Sequence, residues 1–116
     1  MKRIAALIAL IVMAQPILLQ EAAARPAKCV VLGNGMTPYR GTCNFMPDDG
    51  GSFAVEPNGK SGFDSVTMVS VTIMSPGVAQ VRGLTRDGIS SLWGEAKRSK
   101  TDPACWVGSD FKICVY

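Results

Sequence analysis

From Val66 to Met74 the side chains alternate: Val69, Val71 and Ile73 point one way, Ser70 and Thr72 the other. A period of two in a run of β-branched residues lines one face of a strand and smears around a helix, so this segment is read as β. Ser75-Pro76-Gly77 has turn chemistry, alternation resumes over Val78–Thr85, Arg86-Asp87-Gly88 turns again, and Ile89–Lys97 makes the next strand. Treating 75–77 and 86–88 as three-residue loops sets Ile73 beside Ala79, Val71 beside Val81, and Val81 beside Trp93. One face of this meander then carries Val69, Val71, Ile73, Ala79, Val81, Ile89 and Trp93 and must be the core. The other carries Ser70, Thr72, Gln80, Arg82 and Ser90, with Leu84 and Leu92 among them.

Upstream, Cys29–Leu32 and Tyr39–Phe45 form a hairpin pattern and Ser52–Glu56 a short strand, separated by loops at Asp48-Asp49-Gly50-Gly51 and Pro57-Asn58-Gly59-Lys60. Near the end, Trp106, Phe111, Ile113 and Val115 fall on one face of a last hairpin. The pattern predicts about seven or eight strands and no strong helix, hence an all-β chain, a small antiparallel meander forming a sandwich or barrel.

The four cysteines are Cys29, Cys43, Cys105 and Cys114. In a short exported domain an even number reads as two disulfides, with three ways to pair them. A two-residue turn at Ser109-Asp110 places Gly108 opposite Phe111 and Cys105 opposite Cys114. Counting outward, that cysteine pair falls on a non-hydrogen-bonded position, where side chains are closest and a cross-strand bridge fits. Cys29 and Cys43 flank a loop containing Gly33, Asn34, Gly35 and Pro38, which favours 29–43 with 105–114 over the two other connectivities. Neither spacing resembles the C-x2-C of a zinc site or a redox dithiol.

Export is expected from the first residues. Met1-Lys2-Arg3 is basic, Ile4–Ala14 is apolar, and Ala22-x-Ala24 supplies the small residues of a signal-peptidase site, so cleavage is expected between Ala24 and Arg25. Gln15-Pro16 interrupts the apolar run well short of the ~20 residues of a membrane span. The expected organisation is a signal peptide over 1–24 and a single β-rich domain over 25–116, with no integral membrane segment after cleavage. Lys2, Arg3 and Glu21 leave with the leader, so the mature charge is below the +3 of the whole chain and steers nothing strongly.

The chain has no histidine, which removes Ser-His-Asp and Cys-His catalysis and the commonest zinc ligand. Gly59-Lys60-Ser61 matches the end of a P-loop, but Ala54 stands where the motif needs glycine. Asp48-Asp49-Gly50-Gly51-Ser52 supplies two carboxylates, short of the 6–8 oxygens of a calcium site, and is read as a solvated turn. Ser109-x-x-Lys112 has the spacing of a serine–lysine pair without oxyanion donors. No enzyme, cofactor or metal is expected.

The densest basic cluster is Lys97-Arg98-Ser99-Lys100, read as an exposed loop between the meander and the last hairpin. Lys97, Arg98 and Lys100 are the candidate partner-binding residues, with the half-polar face around Gln80 and Arg82 next in line. Trp93 and Trp106 fall on core faces and are read as packing residues rather than a sugar platform.

The stretches Thr85–Ser99 and Ala104–Cys114, with Leu92-Trp93-Gly94-Glu95 and Cys105-Trp106-Val107-Gly108 at their centres, resemble small exported uncharacterised proteins of alphaproteobacteria. That resemblance covers the last third of the chain and implies bacterial export. In size and architecture the chain is also similar to the periplasmic lysozyme inhibitors, small disulfide-bearing β-barrels with a Ser-Gly-x-x-Tyr loop. Ser61-Gly62-Phe63 is the nearest counterpart and lacks the tyrosine. The resulting expectation is a periplasmic or secreted, non-enzymatic binding module of a Gram-negative bacterium. It would act on a protein or envelope polymer and not on nucleic acid. Inhibition of a host hydrolase such as lysozyme, or delivery to host cells as an effector, are the alternatives.

Overall fold

The computed structural model describes residues 24–58 and 62–116. The expected signal peptide over 1–24, apart from Ala24, and the Gly59-Lys60-Ser61 motif lie outside the described residues. Eight strands follow in order: β1 (Arg25–Gly33), β2 (Tyr39–Pro47), β3 (Phe53–Pro57), β4 (Val66–Ser75), β5 (Val78–Thr85), β6 (Ser90–Arg98), β7 (Cys105–Val107) and β8 (Phe111–Val115). Each pairs antiparallel with the next, and β1 closes onto β8 through Cys29–Val115, Val31–Ile113 and Gly33–Phe111. The meander is therefore an up-and-down barrel, and closure removes the free edges of an open sheet.

The interior is filled by the inward parity of every strand. Val31, Val55, Val69, Val71, Val81 and Ile113 are completely buried, and Phe63, from the β3–β4 connection, plugs the barrel with its ring edge-on to Tyr39. An eight-stranded barrel is just wide enough for such side chains to meet across its axis. Both disulfides close as the cysteine geometry favours, Cys29–Cys43 and Cys105–Cys114. Cys105 lies directly opposite Cys114, and Gly108 N–H donates to the Phe111 carbonyl at 2.8 Å across the Ser109-Asp110 turn.

Three bulges modify the expected meander register, the first at Thr67, between the Val66–Thr85 and Met68–Leu84 pairs. Ile73–Ala79 and Val71–Val81 pair as the alternation predicts, but Pro76 and Gly77 alone make the first turn and Met74 is the extra residue. On β6 the partner of Val81 is Gly94, not Trp93, and Arg82 pairs with Leu92. Trp93 is thus the bulged residue, followed by Gly94 at φ +128°, a value that side chains with a Cβ rarely adopt. The bulge still sends Trp93 inward, where its indole covers the place a Cβ on Gly83 would occupy, 2.7 Å from the ring nitrogen. Ile89 is the one expected core residue of this face that the structure turns out: it sits in the hairpin beyond β6, 60% exposed. Its carbonyl accepts from Thr85 N–H across the turn, at the barrel's rim rather than over its interior.

Candidate functional site

The expected basic cluster is divided by the strand that carries it. β6 ends with Lys97, as the alternation predicts, and Arg98, one residue further than expected, and successive strand residues face opposite ways. Arg98 shares the parity of buried Ala96 and pairs with Trp106. Its guanidinium carbon lies 5.1 Å from the Trp106 ring centroid, and its Nε donates to the Pro103 carbonyl at 2.7 Å. Arg98 therefore fastens the 99–104 loop across one end of the barrel. Lys100 is exposed on that loop. Lys97 points out of the barrel wall, alone of the three.

On that wall Lys97 gains different company. The register runs Lys97–Val107–Lys112–Leu32 across β6, β7, β8 and β1, and the next outward row runs Cys105–Cys114–Val30–Arg40 into β2. A third row joins Tyr116 to Lys28 through two backbone hydrogen bonds of 2.9 and 3.3 Å, and Lys28 to Thr42. Lys28, Arg40, Lys97 and Lys112 thus occupy one continuous outer surface. Strands β1, β2, β7 and β8 contain no Asp or Glu at all, and among the described residues no ion pair engages the four cations. Val107 (41% exposed) and Tyr116 (56% exposed) lie between them.

The centre of this wall is the second disulfide. Cys105 and Cys114 point outward yet are only 1% and 2% exposed, because Tyr116 and the 99–104 loop lie over them. The Tyr116 hydroxyl is 3.6 Å from Cys105 Sγ and donates to Asp102 Oδ2 at 2.6 Å, while Ala104 N–H donates to Asp102 Oδ1 at 3.2 Å. The Tyr116 hydrogen bond is the main reason the Asp102 carboxyl titrates below its ordinary value, with Ala104 and the positive charge of Lys112 adding to it. The same bond raises Tyr116, partly offset by Arg40. Asp102 keeps its negative charge while it accepts this hydrogen bond and lies near Lys112 at one rim of the wall, and exposed Asp110 of the β7–β8 turn lies at another, while the strands between carry only cations.

The other features singled out in the sequence take structural places. Asp48 accepts from Asp49 N–H at 2.8 Å and caps the 3-10 turn Asp49–Gly51. Ser109 is exposed at its turn while Lys112 belongs to the cationic wall. Phe63 of the Ser61-Gly62-Phe63 stretch is 1% exposed inside the barrel and cannot protrude into another protein's cleft. Both tryptophans pack: Trp93 edge-on to Phe111, and Trp106 beneath Arg98. The half-polar face around Gln80 and Arg82 exists, and beside the bulges at Met74 and Trp93 it carries a shallow groove between Met74, Val78, Leu92 and Glu95.

Compared with known proteins, the chain matches no protein-family model, no curated protein and no solved structure. Among the described residues no helix is long and apolar enough to cross a membrane. The two closed disulfides are compatible with a periplasmic or extracellular setting.

Proposed function

We propose that the chain is an exported, non-enzymatic binding module of a Gram-negative bacterium that holds an anionic protein or envelope polymer against the wall formed by β6, β7, β8, β1 and β2. The observation that carries this reading is the gathering of Lys28, Arg40, Lys97 and Lys112 on strands where the only carboxylate is Glu95 of β6. Like charges held on one rigid surface repel one another, and an anionic partner relieves that repulsion; at ~8–10 Å the attraction is screened in ordinary buffers. The leader supports export, and β1 begins at Arg25, directly after the expected cleavage bond.

The test is retention of the oxidised protein by an isolated envelope fraction. Wild type should be retained at low salt and released by moderate salt. The quadruple variant Lys28→Glu/Arg40→Glu/Lys97→Glu/Lys112→Glu should pass through, with its two disulfides still closed. Lys100→Ala should be retained like wild type. Retention of the quadruple variant at wild-type strength would move the site off this wall.

A further inference from the structure

We infer that the occupant of the cationic wall is an acidic polysaccharide strand with widely spaced carboxylates, lying across the strands from Lys97 past Lys112 to Arg40 and Lys28. This rests on the wall being the binding surface. The spacing of its charges and its shape then narrow the ligand.

Neighbouring strands are ~4.8 Å apart and residues of one parity repeat every ~7 Å along a strand. Lys97 and Lys112 are two strands apart in one row, so about 10 Å at the backbone. Lys112 and Arg40 are two strands and one row apart, about 12 Å. A nucleic-acid strand presents a charge every ~3.4 Å and leaves most of its phosphates unmatched on such a surface. A glycan with one carboxylate on every second sugar meets it one charge at a time.

The wall also belongs to a closed barrel and is convex. A rigid protein partner touches a convex surface over a small area, and protein interfaces are built around aromatic and arginine anchors with lysine depleted. Here three of the four cations are lysines, and the middle of the wall is a buried disulfide rather than a pocket. A flexible chain can follow the curvature. Lysine ammonium groups, compact charges on long stems, reach carboxylates without demanding a bidentate fit. Between the cations, Val107 and the ring of Tyr116 offer apolar surface for the faces of sugar rings.

The experiment is a calorimetric titration of the oxidised protein with hyaluronan oligosaccharides of increasing length, which carry one carboxylate per disaccharide. Affinity should rise with length until the chain spans Lys97 to Arg40, then level off, and neutral dextran should not bind. Lys97→Glu/Lys112→Glu and Lys28→Glu/Arg40→Glu should each weaken the long oligosaccharide at least tenfold and shorten the length at which affinity levels off. Lys100→Ala, on the 99–104 loop and off the wall, should bind like wild type. Tighter binding of poly-glutamate, single-stranded DNA or anionic lipid vesicles, lost in the same double variants, would keep the wall and overturn the glycan. No measurable binding of any of these anions would overturn both the glycan and the wall.

Discussion

The two disulfides of this barrel are chemically identical and structurally opposite. Cys29–Cys43 lies inside: Cys29 pairs with Gly41 and Cys43 with Ala27, so the bridge runs diagonally between two long strands, and its sulfurs belong to the hydrophobic core. Cys105–Cys114 lies outside: it joins residues directly opposite one another, one of them in a strand of three residues, and is sealed by Tyr116 and a loop. The inner bridge supplements a hairpin that is already paired from Arg25–Phe45 to Val31–Tyr39. The outer one anchors β7, which reaches β6 only through Lys97–Val107 and Arg98–Trp106. One bridge is packing and the other is a clasp.

Removing each should therefore fail differently. Cys29→Ala/Cys43→Ala should cost about 4–5 kcal/mol in urea unfolding, ~3 from the opened loop and the remainder from the cavity two missing sulfurs leave in the core. Cys105→Ala/Cys114→Ala should cost less, somewhat under ~3 kcal/mol, because its loop is shorter and its sulfurs fill no interior space. Its signature should be local: amide exchange at Lys97, Arg98 and through β7 should accelerate far more than in β4 or β5. Uniform acceleration around the barrel would deny the clasp.

Smaller changes probe what else holds that side. Arg98→Ala should lower stability by about 1 kcal/mol, since it removes the cover on Trp106 and the hydrogen bond to Pro103. Neighbouring Lys97→Ala should stay within about 0.5 kcal/mol by thermal unfolding. Equal losses would return both residues to a common loop. The smallest expected effect on global stability belongs to Tyr116→Phe, read instead by the rate at which a water-soluble phosphine reduces Cys105–Cys114. Asp102 is held below its ordinary titration range by the Tyr116 hydroxyl. Its contribution is therefore present above the unfolded carboxylate's pKa and is lost as pH falls through the lower folded value. Reduction of the wild-type bridge should accelerate in that acidic window. The variant should be faster above it and should lack the acid step.

Much of this comparison was legible in the residues themselves. Counting out from Ser109-Asp110 yields the Cys105–Cys114 pair, and the alternation of Val69, Val71, Ala79 and Val81 yields the core face. The failures begin where one extra residue enters a strand. Trp93 carries the apolar character that the pattern expects opposite Val81, but Gly94 takes that place, and only its backbone conformation distinguishes the two. Ile89 is as apolar as its neighbours, yet the strand starts after it. The cationic wall was hidden for another reason. Lys28, Arg40, Lys97 and Lys112 are scattered through the chain, and Lys28 meets Tyr116 only because β1 closes onto β8, a pairing no local pattern announces. The available signal was the lack of any acidic residue in the strands of both terminal hairpins, where Asp110 stands only at a turn. Arg98 was read with Lys97 as one cluster, whereas adjacency in sequence is opposition in a strand.

Closure has a consequence for how the chain reaches this state. Seven of the strand pairings join neighbours in sequence and can form from short loops, whereas β1–β8 must bring together the two ends of the domain. Until it does, β1 and β8 are unprotected edges, open to pairing with another chain. Each disulfide lies within one of the two hairpins that carry these edges, β1–β2 and β7–β8. Oxidation of either pair needs no closed barrel and stiffens one lip of the last joint. A chain kept reduced must align two loose edges at once, and its aggregation during refolding is set by how long they wait.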